Sequence, residues 1–299
     1  MKVPFDLAEL PSPELSSTMC ARMLATHREL TTWVAGYGDL VSDTLLEPVC
    51  LMHVFAAPWH TAEQLRLHNR MAAWLFALDN AVEGAATLAD VEEIADRCRQ
   101  VAAGAEPADP FYRCLRDVLA ELRAVPLWPT LADQWSNLFE ATLDAVCTER
   151  RNRVAVDAGG TPPSIEDYIA NCDNAEVRIA YFTYWMATAG DDLPDHLDVL
   201  MPALWEAQVA VRWANDFRSV MRGDAEATVL NSAALGIGPD EIHRRALEAA
   251  DRCGELLAPL IARSVPEAVA LDRTTRSVVA FYGISDYRPE GRGVVTANG

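Results

Sequence analysis

Apolar positions recur every three to four residues along most of the chain, and runs of strict apolar/polar alternation are missing. That period predicts helices rather than strands. The helices read this way span 13–37, 61–83, 88–103, 110–125, 130–154, 164–188, 195–222, 239–262 and 265–282. Proline and glycine punctuate them at Pro107, Pro126 and Pro129, through Gly159, Gly160, Pro162 and Pro163, from Gly190 to Pro194 and from Gly236 to Pro239. Ser164 followed by Glu166 and Asp167 is a sensible helix start. With no internal repeat and no low-complexity linker, the pattern predicts one all-α domain over 1–299.

Composition narrows the class. The chain has 299 residues, of which 51% are hydrophobic, enough for a substantial core. No run of 18 apolar residues occurs, and the first ten residues carry acids and a proline. The expectation is therefore a cytoplasmic chain with no membrane span. Seven cysteines, scattered and without a CxxC pair, argue against a disulfide framework or a zinc site and read as small buried thiols. The net charge of −19 speaks against nucleic acid as a partner. It also means that a polyanionic ligand would need metal ions and a local set of arginines to overcome the global field.

Two helix ends carry candidate chemistry. Residues 211–222 read VRWANDFRSVMR, which sets Asn215 and Ser219 one turn apart on one face as neutral oxygen ligands. Magnesium takes few protein oxygens and completes its shell with water and substrate phosphates, which suits so sparse a pair. Residues 74–83 read WLFALDNAVE. Asp79 and Glu83 align there at the end of a helix whose approach, 71–78, is almost wholly apolar. Two carboxylates in a partly buried place repel by about a few kcal/mol unless cations neutralise them. The alternative is a solvated helix end capped by Gly84. A literal DDxxD string at Asp191 to Asp195 follows Gly190 and contains Pro194, so it reads as a loop rather than a ligand-bearing helix.

Asp79-Asn80-x-x-Glu83 and Asn215-Asp216-x-x-Ser219, in that order and far apart in nearly all-helical sequence, resemble the two metal motifs of class I terpene synthases. The likeness is greatest to bacterial diterpene synthases of the ent-kaurene synthase kind. It extends through Asp167-Tyr168-Ile169-Ala170-Asn171, Asn231 and Tyr287-Arg288. The resemblance implies a helical bundle around a central apolar cavity, with three Mg2+ ions bridging the motifs and a substrate diphosphate. Asp79, Asn215 and Ser219 then serve ionisation to an allylic carbocation. Rearrangement and deprotonation or water capture follow. The implied substrate is a diterpenyl diphosphate, either geranylgeranyl or a copalyl type supplied by a class II diterpene cyclase, since no DxDD motif is present to make it. Homodimers are implied as well. Aromatic faces stabilise such a cation, and Phe76 and Trp185 are the expected cavity walls.

The chain also departs from that pattern. The family's glutamate four residues after the serine is Gly223 here. Asp224 is favoured as its replacement if Gly223 ends the helix, with Glu226 as the competitor if the helix continues. The place of the diphosphate-sensing arginine holds Cys172. Arg178, six residues further on, lies about 120° around the helix, so either the helix is broken or the role passes to Arg212, Arg222 or Arg288. Arg222 is favoured by resemblance. The usual Arg-Tyr pair near the C-terminus appears as Asp286-Tyr287-Arg288, where Tyr287 and Arg288 form either a lid over the diphosphate or a frayed terminus. Two other readings compete: a chain-elongating prenyl transferase, and a non-enzymatic acidic helical scaffold.

Overall fold

The computed structural model describes residues 11–222 and 232–287, and the regular structure among them is helical throughout. Eleven α-helices are present in the described residues: α1 Pro13–Val34, α2 Asp43–Ala56, α3 Ala62–Gly84, α4 Leu88–Ala102, α5 Pro110–Arg123, α6 Trp128–Asp157, α7 Ile165–Ala170, α8 Val177–Thr188, α9 Leu197–Arg222, α10 Pro239–Ile261 and α11 Pro266–Tyr282. The expected all-α bundle is the observed one. Among these described helices, none is long and apolar enough to cross a membrane.

Local chemistry sets where the helices begin. The Thr61 hydroxyl accepts from the Gln64 amide while the Gln64 side chain answers to the Thr61 amide, a reciprocal cap that fixes the start of α3. Thr87 and Asp90 do the same for α4. From its cap α3 runs 23 residues, roughly 35 Å, and so carries Asp79 and Glu83 to the far end of the bundle.

One helix was missed by the periodicity. The segment that forms α2 contains Pro48, which reads as a breaker because it removes an amide donor and crowds the preceding turn, at a cost of about 3 kcal/mol. Burial outweighs that cost. Leu45, Leu46, Val49, Cys50, Met52 and Val54 are all buried, α2 packs against α1, α3 and α11, and each large apolar side chain so buried contributes about 1.5–3 kcal/mol.

One predicted helix is broken. The span 164–188 divides into α7, a 3-10 turn at Cys172–Ala175, and α8, with Glu176 between them at φ 63°. Gln208 of α9, fully buried, explains the division. Its side-chain oxygen accepts from the Arg178 amide at 3.0 Å and its nitrogen donates to Asp173 at 2.9 Å. A partner from another helix thus satisfies the Arg178 amide, which a continuous helix would have paired internally.

The core is built in two parts. The larger collects apolar side chains from α1 to α6, α8 and α9 and from α10 and α11, with Trp74, Trp135, Phe182 and Trp185 fully buried. The smaller lies between α9, α10 and α11, around Trp213, Ile242 and Tyr282. All seven cysteines are free, and six are buried, as expected; Cys20 is exposed.

Candidate active site

α3, α6, α9 and the end of α11 converge on a hollow of about 250 Å³. α3 contributes Phe76, Asp79, Val82 and Glu83; α9 contributes Val211, Asn215, Ser219 and Arg222 from the other side. The two helix ends singled out by sequence therefore share one cavity. Tyr282, Tyr287, Val146 and Val211 add apolar surface to the same space. Among the described residues, six carboxylates and four arginines face it, an excess of negative charge that a polyanion could enter only with added cations.

Asn215 is oriented by its neighbour. Its Nδ2 donates to the Tyr282 hydroxyl at 3.3 Å, which leaves the amide oxygen as the end available to a cation. Behind it lies a buried polar knot. Asp216, 2% exposed, accepts from the Tyr168 hydroxyl at 2.7 Å and from the Ser232 backbone amide at 3.1 Å, and faces the Arg212 guanidinium at 3.7 Å. Arg212 in turn donates to the Tyr168 oxygen at 2.6 Å and to Glu149 at 3.1 Å. Burial pushes the Asp216 carboxyl above the usual carboxylate range, against the pull of Arg212 and the two hydrogen-bond donors. Burial likewise raises the Tyr168 hydroxyl. Asp216, itself at the wall of the hollow, thus ties α9 to Tyr168 and the Ser232 amide beside Asn215 and Ser219.

The other predicted residues divide. Phe76, Arg222 and Tyr287 line the hollow, with Arg222 paired to Asp286 at 2.6 Å and the Tyr287 ring packed on Phe76, Phe281 and Tyr282. Trp185 does not line it. Its ring is fully buried in the larger core against Tyr181 and Phe182. Arg178 does not line it either: it pairs with Asp173 at 2.9 Å and lies over the Trp205 ring. Cys172 is wholly buried. Asp224, Glu226, Asn231 and Arg288 lie outside the described residues. The DDxxD string forms an exposed turn and a 3-10 segment away from the hollow, with Asp192 near His196 at 3.9 Å.

One wall of the hollow carries no motif of either helix end. Glu149, Arg150 and Arg153 of α6 face the hollow, as do Asn174 and Glu176 from the break before α8 and Asp286 after α11. Glu149, Arg150 and Arg153 stand within about a turn of one another on α6. Nothing local distinguished that cluster from a solvated face.

The family match is decisive. The sequence model for terpene synthase family 2, C-terminal metal binding, matches residues 70–236, more than half of the chain. This protein belongs to that terpene synthase family. The synthase is 29% identical over 280 residues to an ent-pimara-9(11),15-diene synthase from a Streptomyces species, with 90% of this chain and 95% of the relative covered. Among solved structures it is similar to the linalool/nerolidol synthase of Streptomyces clavuligerus in complex with 2-fluorogeranyl diphosphate, with a TM-score of 0.64 and 18% identity over 95% of this chain and 99% of that one. A cucumene synthase variant gives a TM-score of 0.69 at 16% identity, covering 95% and 99%.

The synthase is a class I enzyme, a lyase acting on a diphosphate substrate, and it binds divalent metal. The elongating prenyl transferase and the scaffold readings fall with that assignment. The donors gathered at the hollow fit the metal: carboxylate, amide and hydroxyl oxygens are hard ligands.

Proposed function

We propose that the synthase ionises a diterpenyl diphosphate, geranylgeranyl or copalyl in type, and releases a cyclic diterpene. The observation that carries this reading is the single hollow shared by Asp79 and Glu83 on α3 and Asn215 and Ser219 on α9. The diene product in the name of the Streptomyces relative supports a twenty-carbon substrate. By resemblance three Mg2+ ions belong to the site, with Asp79 and Glu83 as ligands on one wall and Asn215 and Ser219 on the other, Asp224 completing the set. Bound there, magnesium supplies positive charge against the diphosphate oxygens as the carbon–oxygen bond breaks.

The chain's own residues do the rest. Tyr282 fixes the Asn215 amide with its oxygen outward, and the Asp216 knot holds α9 in register behind it. Arg222 and Tyr287 line the diphosphate end of the site, and Arg288 is assigned to it by resemblance. Phe76, Tyr282 and Tyr287 present rings to the space where an allylic cation would lie, a stabilisation of about 0.5–2 kcal/mol per ring. Ligand pockets for molecules of this size measure about 300–1,000 Å³, so the hollow of about 250 Å³ must widen when the hydrocarbon enters. With a copalyl-type substrate the reading places a class II cyclase upstream, in the cytoplasm; homodimer pairing follows from the family likeness.

The test is direct. Purified protein is incubated with magnesium and geranylgeranyl, copalyl or farnesyl diphosphate, and the extract is analysed for hydrocarbon and alcohol. A twenty-carbon product from one of the first two is expected. Turnover of farnesyl diphosphate alone would overturn the substrate class.

A further inference from the structure

At about 250 Å³ the hollow is too small for a twenty-carbon hydrocarbon, and two helices point the same way for the space it must gain. On α3, Asp79, Ala72 and His68 fall within about 20° of one line, and His68 lies about 16 Å along the axis from Asp79. On α11, Tyr282, Val278 and Thr274 follow at four-residue steps inward from the hollow. Both lines end in one buried polar layer. The Thr274 hydroxyl bonds that of Tyr181, whose ring packs edge-on against His68 at 5.8 Å. Tyr181 is near enough to the hollow to act electrostatically on the Tyr287 hydroxyl, whose residue lines it. Between hollow and layer the two lines carry Ala72 and Val278, which are small.

The layer holds polar ends that the fold leaves unused. His68 donates through Nδ1 to the Ala180 carbonyl at 3.1 Å, which fixes the bare lone pair of the neutral ring at Nε2. Asn69, wholly buried, accepts from His53 through its oxygen and leaves Nδ2 without a partner among the described residues. A layer that serves only to pack has no reason to carry such a loss. We infer that His68 is the base that ends the reaction: Nε2 takes a proton from the carbon beside the cationic centre, the C–H bonding pair closes a carbon–carbon double bond, and the alkene leaves uncharged. Burial keeps His68 and His53 neutral before that step. A weak base suffices, because a C–H next to a carbocation is a far stronger acid than an imidazolium. The imidazolium so formed keeps its Nδ1–H on the Ala180 carbonyl, lies beside the Tyr181 and Tyr184 rings at 5.8 and 5.2 Å, and returns its proton to water when the product leaves.

This inference rests on the diphosphate-ionising reading of the hollow, and two readouts keep them apart. Pyrophosphate release reports ionisation, and the extracted product reports how the cation was quenched. Wild type, His68→Phe, His68→Gln and Tyr184→Phe are incubated with magnesium and geranylgeranyl or copalyl diphosphate. Both His68 variants should go on releasing pyrophosphate while the share of the wild-type alkene falls about tenfold or more, in favour of isomeric alkenes and alcohols. Tyr184→Phe, which disturbs the same layer and spares the lone pair, should keep the wild-type product. The wild-type alkene persisting as the main product in either His68 variant, an equal change of product in Tyr184→Phe, or an alcohol as the wild-type product would overturn the base and leave ionisation standing. Loss of pyrophosphate release in both His68 variants would overturn it too, because the ring would then be structural. No pyrophosphate release by the wild type would overturn both readings.

Discussion

The Asn215 amide nitrogen donates to the Tyr282 hydroxyl at 3.3 Å, joining α9 to the last residue of α11 at the edge of the hollow. A neutral ligand has no charge to hold it toward a cation, so its aim depends on the bond made by its other end. Tyr282, 7% exposed and packed on Phe281 and Tyr287, supplies that bond from a fixed ring.

Asn215→Ala should reduce turnover by orders of magnitude while leaving the melting temperature close to that of the wild type, because the residue is only half-buried. Tyr282→Phe keeps the ring and deletes only the hydroxyl; groups that orient ligands in this way typically contribute 10- to 100-fold, and a loss of about tenfold is expected. Steady-state rates at saturating magnesium check both. Equal losses in the two variants would mean that Asn215 acts only through its contact with Tyr282.

The Asp216 knot predicts a different phenotype. Its carboxylate receives Tyr168 and the Ser232 amide and faces Arg212, and removing one partner of a buried ion pair costs about 3–5 kcal/mol. Asp216→Ala should therefore lower thermal stability markedly, whereas Ser219→Ala, half-buried and fronting the hollow, should lower turnover with little effect on stability. Thermal melts and activity measured on the same preparations separate the two roles.

What was legible in the sequence follows from range. Asp79 with Glu83 and Asn215 with Ser219 are pairs one turn apart, so helical periodicity alone puts each pair on one face, and the apolar approach to Asp79 already suggests a cavity. The helix that contains Pro48 and the break at Glu176 were not legible, because each is decided by another element: α2 is held by packing against α1, α3 and α11, and the break by Gln208 from α9. Arg178 and Trp185 were misplaced for the same reason, since both lie beyond that break. Arg150 and Arg153 look like any charged helix face until α3 and α9 are seen beside them.

The DDxxD string supplies a negative control. Asp191 and Asp195 are exposed in a turn and a 3-10 segment away from the hollow, and substitutions at such surface positions usually stay within about 0.5 kcal/mol. Asp191→Ala and Asp195→Ala should each retain turnover within about twofold of wild type. A dead enzyme in either case would place metal chemistry at that turn instead of at Asp79.

The opposite end of α3 predicts acid sensitivity. His53 and His68 lie with ring centroids 3.7 Å apart at a 41° tilt, His53 bonds Asn69, and His68 donates to the Ala180 carbonyl beside Tyr181 and Tyr184. His60 meets the Tyr184 hydroxyl at 2.9 Å. Burial lowers the pKa of all three, that of His53 to about 4, and Arg22 adds a further lowering at His60. A folded-state pKa below the unfolded value means that the unfolded chain takes up the proton first, so this stability is complete above pH 6.5 and is lost as pH falls toward the folded value. For His53 the window runs from about pH 6.5 to about 4, and each unit within it costs about 1.4 kcal/mol. Melting temperatures should therefore change little between pH 7.5 and 6.5 and fall from pH 6.5 to 5.5. The decline should be shallower in His53→Gln, which deletes one titrating ring and keeps an amide able to bond Asn69. Carboxylates elsewhere contribute equally to both proteins, so parallel melting curves for wild type and variant would assign the acid sensitivity to those carboxylates and not to the paired histidines.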